Sequence, residues 1–179
     1  METGKKVLVL LTRFPDNGAK VIQAMTGSDY SHASIGLSED MNIFYSFVVK
    51  GFMVEEITRY IKPDREPFPC QLYEIEVSEK VYNTVKKILN FYVEHKSKMS
   101  YTKLGLVMAL IGIPFKRKDC YFCSQFVAEV LERAKVMEMK RPTQSYLPGD
   151  FTKLSEMKLV FEGNLQSMIT YFGIQPCLV

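Results

Sequence analysis

The sequence predicts an α+β fold, with strands gathered in the first half of the chain and helices prominent in the second, and two kinds of pattern predict it. In Ala33-Ser34-Ile35-Gly36-Leu37 and Gln71-Leu72-Tyr73-Glu74-Ile75-Glu76-Val77, apolar residues recur at every second position, the period of a half-buried strand. Val81, Val85, Ile88, Leu89 and Tyr92, and later Val127, Val130, Leu131 and Ala134, recur instead at the spacing of one helix face. With 179 residues, 47% of them hydrophobic, the chain can bury one sizeable core, and residues 1–179 read as a single domain without repeat, low-complexity tract or linker.

Taken in order, Lys6 to Phe14 reads as a buried strand, and Pro15-Asp16-Asn17-Gly18 as a turn opening a short helix. That helix, Ala19 to Met25, carries Val21, Ile22 and Met25 at helical spacing, and Thr26-Gly27 closes it. Tyr30 to Leu37 and Ile43 to Lys50 are two strands of a hairpin around the polar turn Ser38 to Asn42. Gly51-Phe52 turns the chain into a third strand, Met53 to Ile57. Three prolines between Lys62 and Pro69 make a loop, because proline removes backbone donors and disfavours helix. Gln71 to Val77 is a strand, and Ser78 is placed to cap the helix after it, near whose end His95 reads as a surface residue suited to the helix dipole. Tyr101 to Ile113, apolar around Gly105, is too short for the roughly 20 residues a bilayer span needs and is expected to be a core helix or a lid. Lys140 to Gly149 is a loop, Pro148 to Leu154 one more helical turn, Leu159-Val160-Phe161 a short strand and Asn164 to Phe172 a closing segment.

Composition excludes several functions. The formal charge of +3, from 23 Lys and Arg against 20 Asp and Glu, is spread along the chain, so no nucleic-acid partner is expected. The start Met-Glu-Thr-Gly-Lys-Lys lacks a secretory pattern, and Val7 to Leu11 is a strand-length run, so the expectation is a cytoplasmic protein without stable membrane insertion. Cys70, Cys120, Cys123 and Cys177 are then reduced thiols. Cys120-Tyr121-Phe122-Cys123 invites a zinc reading, but a closed site takes about four ligands and no second Cys pair or His pair has ligand spacing. Neither metal nor other cofactor is expected.

The chemistry points to Cys123. Its stripe partners put it at the amino-terminal end of a helix, where unpaired N–H groups and a partial positive charge favour thiolate over thiol, and Lys116-Arg117-Lys118 adds charge of the same sign. The same stripe suits a buried structural cysteine, so the position alone leaves both readings open. A possible base stands upstream: His32 shares one strand face with Ser34 and Gly36, small residues that leave room for an element or a ligand to approach the imidazole. A thiol and an imidazole within hydrogen-bond reach are the minimum parts of nucleophilic catalysis.

Ser31-His32-Ala33-Ser34-Ile35-Gly36-Leu37, Phe44-Tyr45-Ser46-Phe47, Gly51-Phe52 and Phe122-Cys123-Ser124-Gln125-Phe126-Val127-Ala128-Glu129-Val130-Leu131 together resemble the circularly permuted branch of the NlpC/P60 papain-like superfamily, in which the His strand precedes the Cys helix. The resemblance spans roughly residues 6 to 165. It implies a permuted papain-like fold, an antiparallel sheet packed against the Cys helix, with Cys123 as nucleophile and His32 as base. The superfamily's third catalytic position on the second hairpin strand would fall on Ser46, with Tyr45 the next choice; both depart from the acidic or imidazole group usual there. Its relatives include cell-wall peptidases, amidases and the lecithin retinol acyltransferase group. The implied activity is hydrolysis of an amide bond, in a small peptide or an N-acyl substrate, through a thioester. Thioester-mediated acyl transfer on lipid, with Leu104 to Ile113 as the candidate apolar element, and a catalytically inactive binding protein are the alternatives.

Overall fold

The computed structural model of the protein describes residues 4–15, 17–64 and 66–176. Cys177, and Asp16 of the first predicted turn, lie outside the described residues. In chain order the elements are β1 (Lys5–Thr12), α1 (Asn17–Thr26), β2 (His32–Leu37), β3 (Asp40–Val48), β4 (Gly51–Glu56), β5 (Pro69–Val77), α2 (Glu79–Glu94), β6 (Ser100–Tyr101), α3 (Lys103–Leu110), β7 (Cys120–Tyr121), α4 (Cys123–Arg133), β8 (Lys158–Asn164) and α5 (Leu165–Phe172). Short 3-10 turns occupy Ile57–Tyr60, Lys96–Lys98, Thr143–Ser145 and Pro148–Lys153.

Six strands form one antiparallel sheet in the order β4-β3-β2-β1-β5-β8. β1 lies inside it, between β2 and β5, which explains its unbroken apolar run: a strand covered on both faces needs no polar side. Val7, Val9 and Leu11 enter a core shared with Tyr82, Val85 and Leu89 of α2 and Phe126, Val127 and Val130 of α4. Leu8 and Leu10 enter a second core on the opposite face, with Leu165, Met168 and Ile169 of α5 and with Ile57 and Phe68.

Local chemistry sets several boundaries. Gly27 ends α1 at φ 63°, in the left-handed region that a helix terminus commonly uses. Ser78 caps α2 by accepting from the Val81 N–H at 3.3 Å, as its position predicts. The register of β2 on β3 shifts between Gly36 and Leu37, and a Cβ on Gly36 would stand 2.9 Å from the Phe44 ring. The space beside Gly36 therefore accommodates a packed aromatic ring.

The late elements differ from expectation. The strand read at Leu159 to Phe161 extends over Lys158–Asn164 and closes one edge of the sheet on β5. The closing segment is the helix α5, whose first turn Asn164 caps by accepting from the Ser167 N–H at 2.9 Å. β6 and β7 pair in parallel, bringing distant segments together just ahead of α3 and α4. Among the described residues no helix is long and apolar enough to cross a membrane.

Candidate active site

β2 and α4 bring His32 and Cys123 together. His32 is the first residue of β2, opposite Thr12 of β1, and 5% exposed; its ring lies against Phe14, with centroids 4.9 Å apart. Cys123 is the first residue of α4 and 4% exposed. Phe122 before it supplies no capping side chain, so the first-turn N–H groups stay directed at the thiol end of the helix. Burial disfavours the thiolate, but the hydrogen bond and charge of His32, with the backbone N–H groups of Ala33 and Ser124, hold the Cys123 pKa below its ordinary value.

The imidazole has a second partner that the sequence reading missed. Its Nε2 lies 2.7 Å from Oε1 of Glu55, a β4 residue only 3% exposed, and the other carboxylate oxygen accepts from Ser34 Oγ at 3.0 Å. Tyr60 also hydrogen-bonds Glu55, and its phenol pKa is raised by burial and by that carboxylate. Burial alone would push the His32 pKa down. The Glu55 carboxylate and the Cys123 sulfur outweigh it and raise it well above the ordinary imidazole value. Protonated, the ring donates from Nε2 to Glu55, leaving Nδ1 as the nitrogen for Cys123.

Ser46 and Tyr45, the residues expected beside the imidazole, make their contacts elsewhere. Ser46 Oγ donates to the Ala33 carbonyl at 2.7 Å and is occupied in tying β3 to β2. Tyr45 lies opposite Ile35, and its ring packs with Phe52 on the core side that faces α2 and α4. The carboxylate comes instead from one strand further out. Pairing of Val48 with Gly51 leaves a two-residue turn, which sets Phe44 opposite Glu55 and puts Glu55 on the His32 face of the sheet. Glu55 and Glu56 stand side by side in the sequence, and only the pairing with β3 decides which of them turns to the imidazole.

The remaining candidates separate from this cluster. Lys116 is ion-paired with Glu129 of α4 at 3.0 Å. Cys120, in β7, is half-buried, whereas Cys70 lies in the second core, where burial pushes its thiol up to about 12. His95 caps α2, stacks on Phe91 and has Nδ1 2.9 Å from the Phe91 carbonyl. Two open cavities flank the His32 end of the sheet. One, of about 430 Å3, is bordered by Tyr30, Leu110 and Leu147; the other, of about 410 Å3, by Arg13, Phe14 and Phe68.

In sequence the chain matches no known family profile and no curated protein. In structure it is similar to the crystal structure of the metalloprotein YiiX from Escherichia coli O157:H7, with a TM-score of 0.57 over 89% of this chain and 98% of that one. Sequence identity between them is 14%, so the likeness is one of fold.

Proposed function

We propose that the protein is a thiol-dependent hydrolase of the permuted NlpC/P60 type, with Cys123 as nucleophile, His32 as base and acid, and Glu55 as the group that orients and charges the imidazole. The observation that carries this reading is the buried Cys123–His32–Glu55 arrangement, in which the thiol pKa is lowered and the imidazole pKa raised by their mutual contact. A core cysteine has no use for a buried imidazole backed by a carboxylate.

The Cys123 thiolate adds to the carbonyl carbon of an amide, and charge moves to the carbonyl oxygen beside the first-turn N–H groups of α4. Collapse breaks the C–N bond as the imidazolium gives its proton to the departing amine, leaving a thioester and a neutral imidazole. That imidazole takes a proton from water, whose oxygen displaces the sulfur and releases a carboxylic acid. Glu55 holds Nε2 throughout and so keeps Nδ1 turned to the sulfur. The substrate class in keeping with this chemistry is a small peptide or an N-acyl amide.

YiiX is described as a metalloprotein, and a metal does not fit the donors here. With Nε2 turned to Glu55, and both carboxylate oxygens of Glu55 engaged by His32 and Ser34, the site offers one imidazole nitrogen and one thiolate, fewer than the roughly four ligands of a closed zinc site. Among the described residues no three His, Cys, Asp or Glu side chains are grouped to hold an ion.

Timed alkylation tests the proposal. Iodoacetamide at about pH 6 modifies Cys123 ahead of Cys70, Cys120 and Cys177, and His32→Ala removes most of that preference. Peptide mapping that finds Cys123 unlabelled while the other three react ends the nucleophile reading.

A further inference from the structure

α3 is apolar on every side: between Lys103 and Leu110 its only charged residue is Lys103. A helix of that kind belongs in a core or against lipid. The core accounts for one side only. Gly105 and Ala109 face inward, and Gly105 packs on Thr102 and on the ring of Phe122, the residue before Cys123. On the opposite side Leu104, Val107 and Ile111 recur at helical spacing and are 56%, 51% and 56% exposed, and Ile113 continues the patch just past the helix at 46%. Isolated exposed apolar residues are ordinary, but four large ones on one short segment mark a surface that something covers.

Charge identifies what covers it. From Lys103 to Lys118 there are four basic residues and no acidic one. Lys103 stands at one end of the apolar stripe, and Lys116, Arg117 and Lys118 follow its other end, all exposed. Lys116 has Glu129 as partner; Lys103, Arg117 and Lys118 extend the positive rim. A second copy of this chain is a poor occupant, because a two-fold contact presses the patch on itself and sets these like charges together. An anionic bilayer complements both features, taking the apolar stripe into the acyl boundary and the basic rim onto lipid phosphates.

We propose that α3 and the loop through Lys118 form a peripheral docking surface for an anionic phospholipid bilayer. The helix lies in the plane of the interface and does not span it. This assignment rests on exposure and charge and holds whether or not Cys123 is a nucleophile. If Cys123 is one, docking places its end of α4 beside the interface, since Gly105 and Phe122 are in contact.

Co-sedimentation of the full chain with vesicles of phosphatidylcholine alone, and of phosphatidylcholine mixed with phosphatidylglycerol, tests the proposal. Binding to the mixed vesicles is expected, weakened by salt, with little binding to phosphatidylcholine alone. Val107→Ser with Ile111→Ser, and separately Arg117→Gln with Lys118→Gln, each lower partitioning by about tenfold or more while leaving the melting temperature unchanged, because all four side chains are exposed. No sedimentation with the mixed vesicles overturns the proposal. So does a dimer in analytical ultracentrifugation that Val107→Ser with Ile111→Ser dissociates, since the face then belongs to a second copy. Equal binding to both vesicle types removes the anionic lipid from it.

Discussion

Glu55 approaches the imidazole from β4, with β3 running between it and β2, and that geometry sets what its removal does. In Glu55→Gln the side chain keeps its shape and loses its charge, so the imidazolium loses its principal stabilising neighbour while burial continues to disfavour it. For the thiol-dependent hydrolysis proposed above, the expected outcome is a basic limb of kcat/KM moved to lower pH and a turnover lowered by about a hundredfold or more. A carboxylate that only filled space would leave the limb where it was. Cys123 and His32 were legible as residues because their chemistry is rare in this chain, which has two histidines. Glu55 was not, because the resemblance points to the second hairpin strand and a glutamate among 20 acidic residues carries no mark of its burial. Ser46 is small and polar enough to face an imidazole, but a direct backbone acceptor on the neighbouring strand engages it first.

At the scale of elements, strands with strict alternation and helices with capping residues were readable to within a few positions, because period and cap chemistry are local. β8 was less so. Its extent is set by pairing with β5, far away in sequence. The 3-10 form of Pro148–Lys153 was likewise beyond a reading that registered only a helical turn. Gly36 shows why a small residue on the imidazole face need not signal a ligand, since Phe44 fills the adjoining space. Gly36→Ala drives a methyl into that ring and destabilises the protein by about 1–3 kcal/mol. Chemical denaturation measures the loss, and combining it with Phe44→Leu recovers part of it, because the pair are in contact. Full additivity of the two substitutions would show that the clash is not the cause.

Across the whole molecule, the sequence pointed to a sheet and to helices that cover it, while the division of labour between its faces came from the three-dimensional arrangement. α2 and α4 cover one side, and α5 with Ile57, Tyr60, Ile61 and Phe68 covers the other. The largest departure is α3. The run Tyr101 to Ile113, apolar around Gly105, reads from composition as a core helix or a lid, since hydropathy registers what a side chain is and not whether a neighbour reaches it. Only the packed arrangement shows Gly105 and Ala109 satisfying the interior while Leu104, Val107 and Ile111 meet solvent.

Among the described residues β4 is a border strand of the large sheet, hydrogen-bonded in the ladder to β3 alone, and it carries Glu55. Border strands fray at lower free energy than interior ones, so the carboxylate detaches from the imidazole in openings that leave β1, β2 and β5 paired. Competence and foldedness therefore part company under mild denaturant. Amide exchange across Met53–Glu56 should quicken at urea concentrations where Val7–Leu11 is still protected, and the privileged alkylation of Cys123 should fade over that same range. Loss of both only at the global transition would mean that β4 melts with the rest of the sheet.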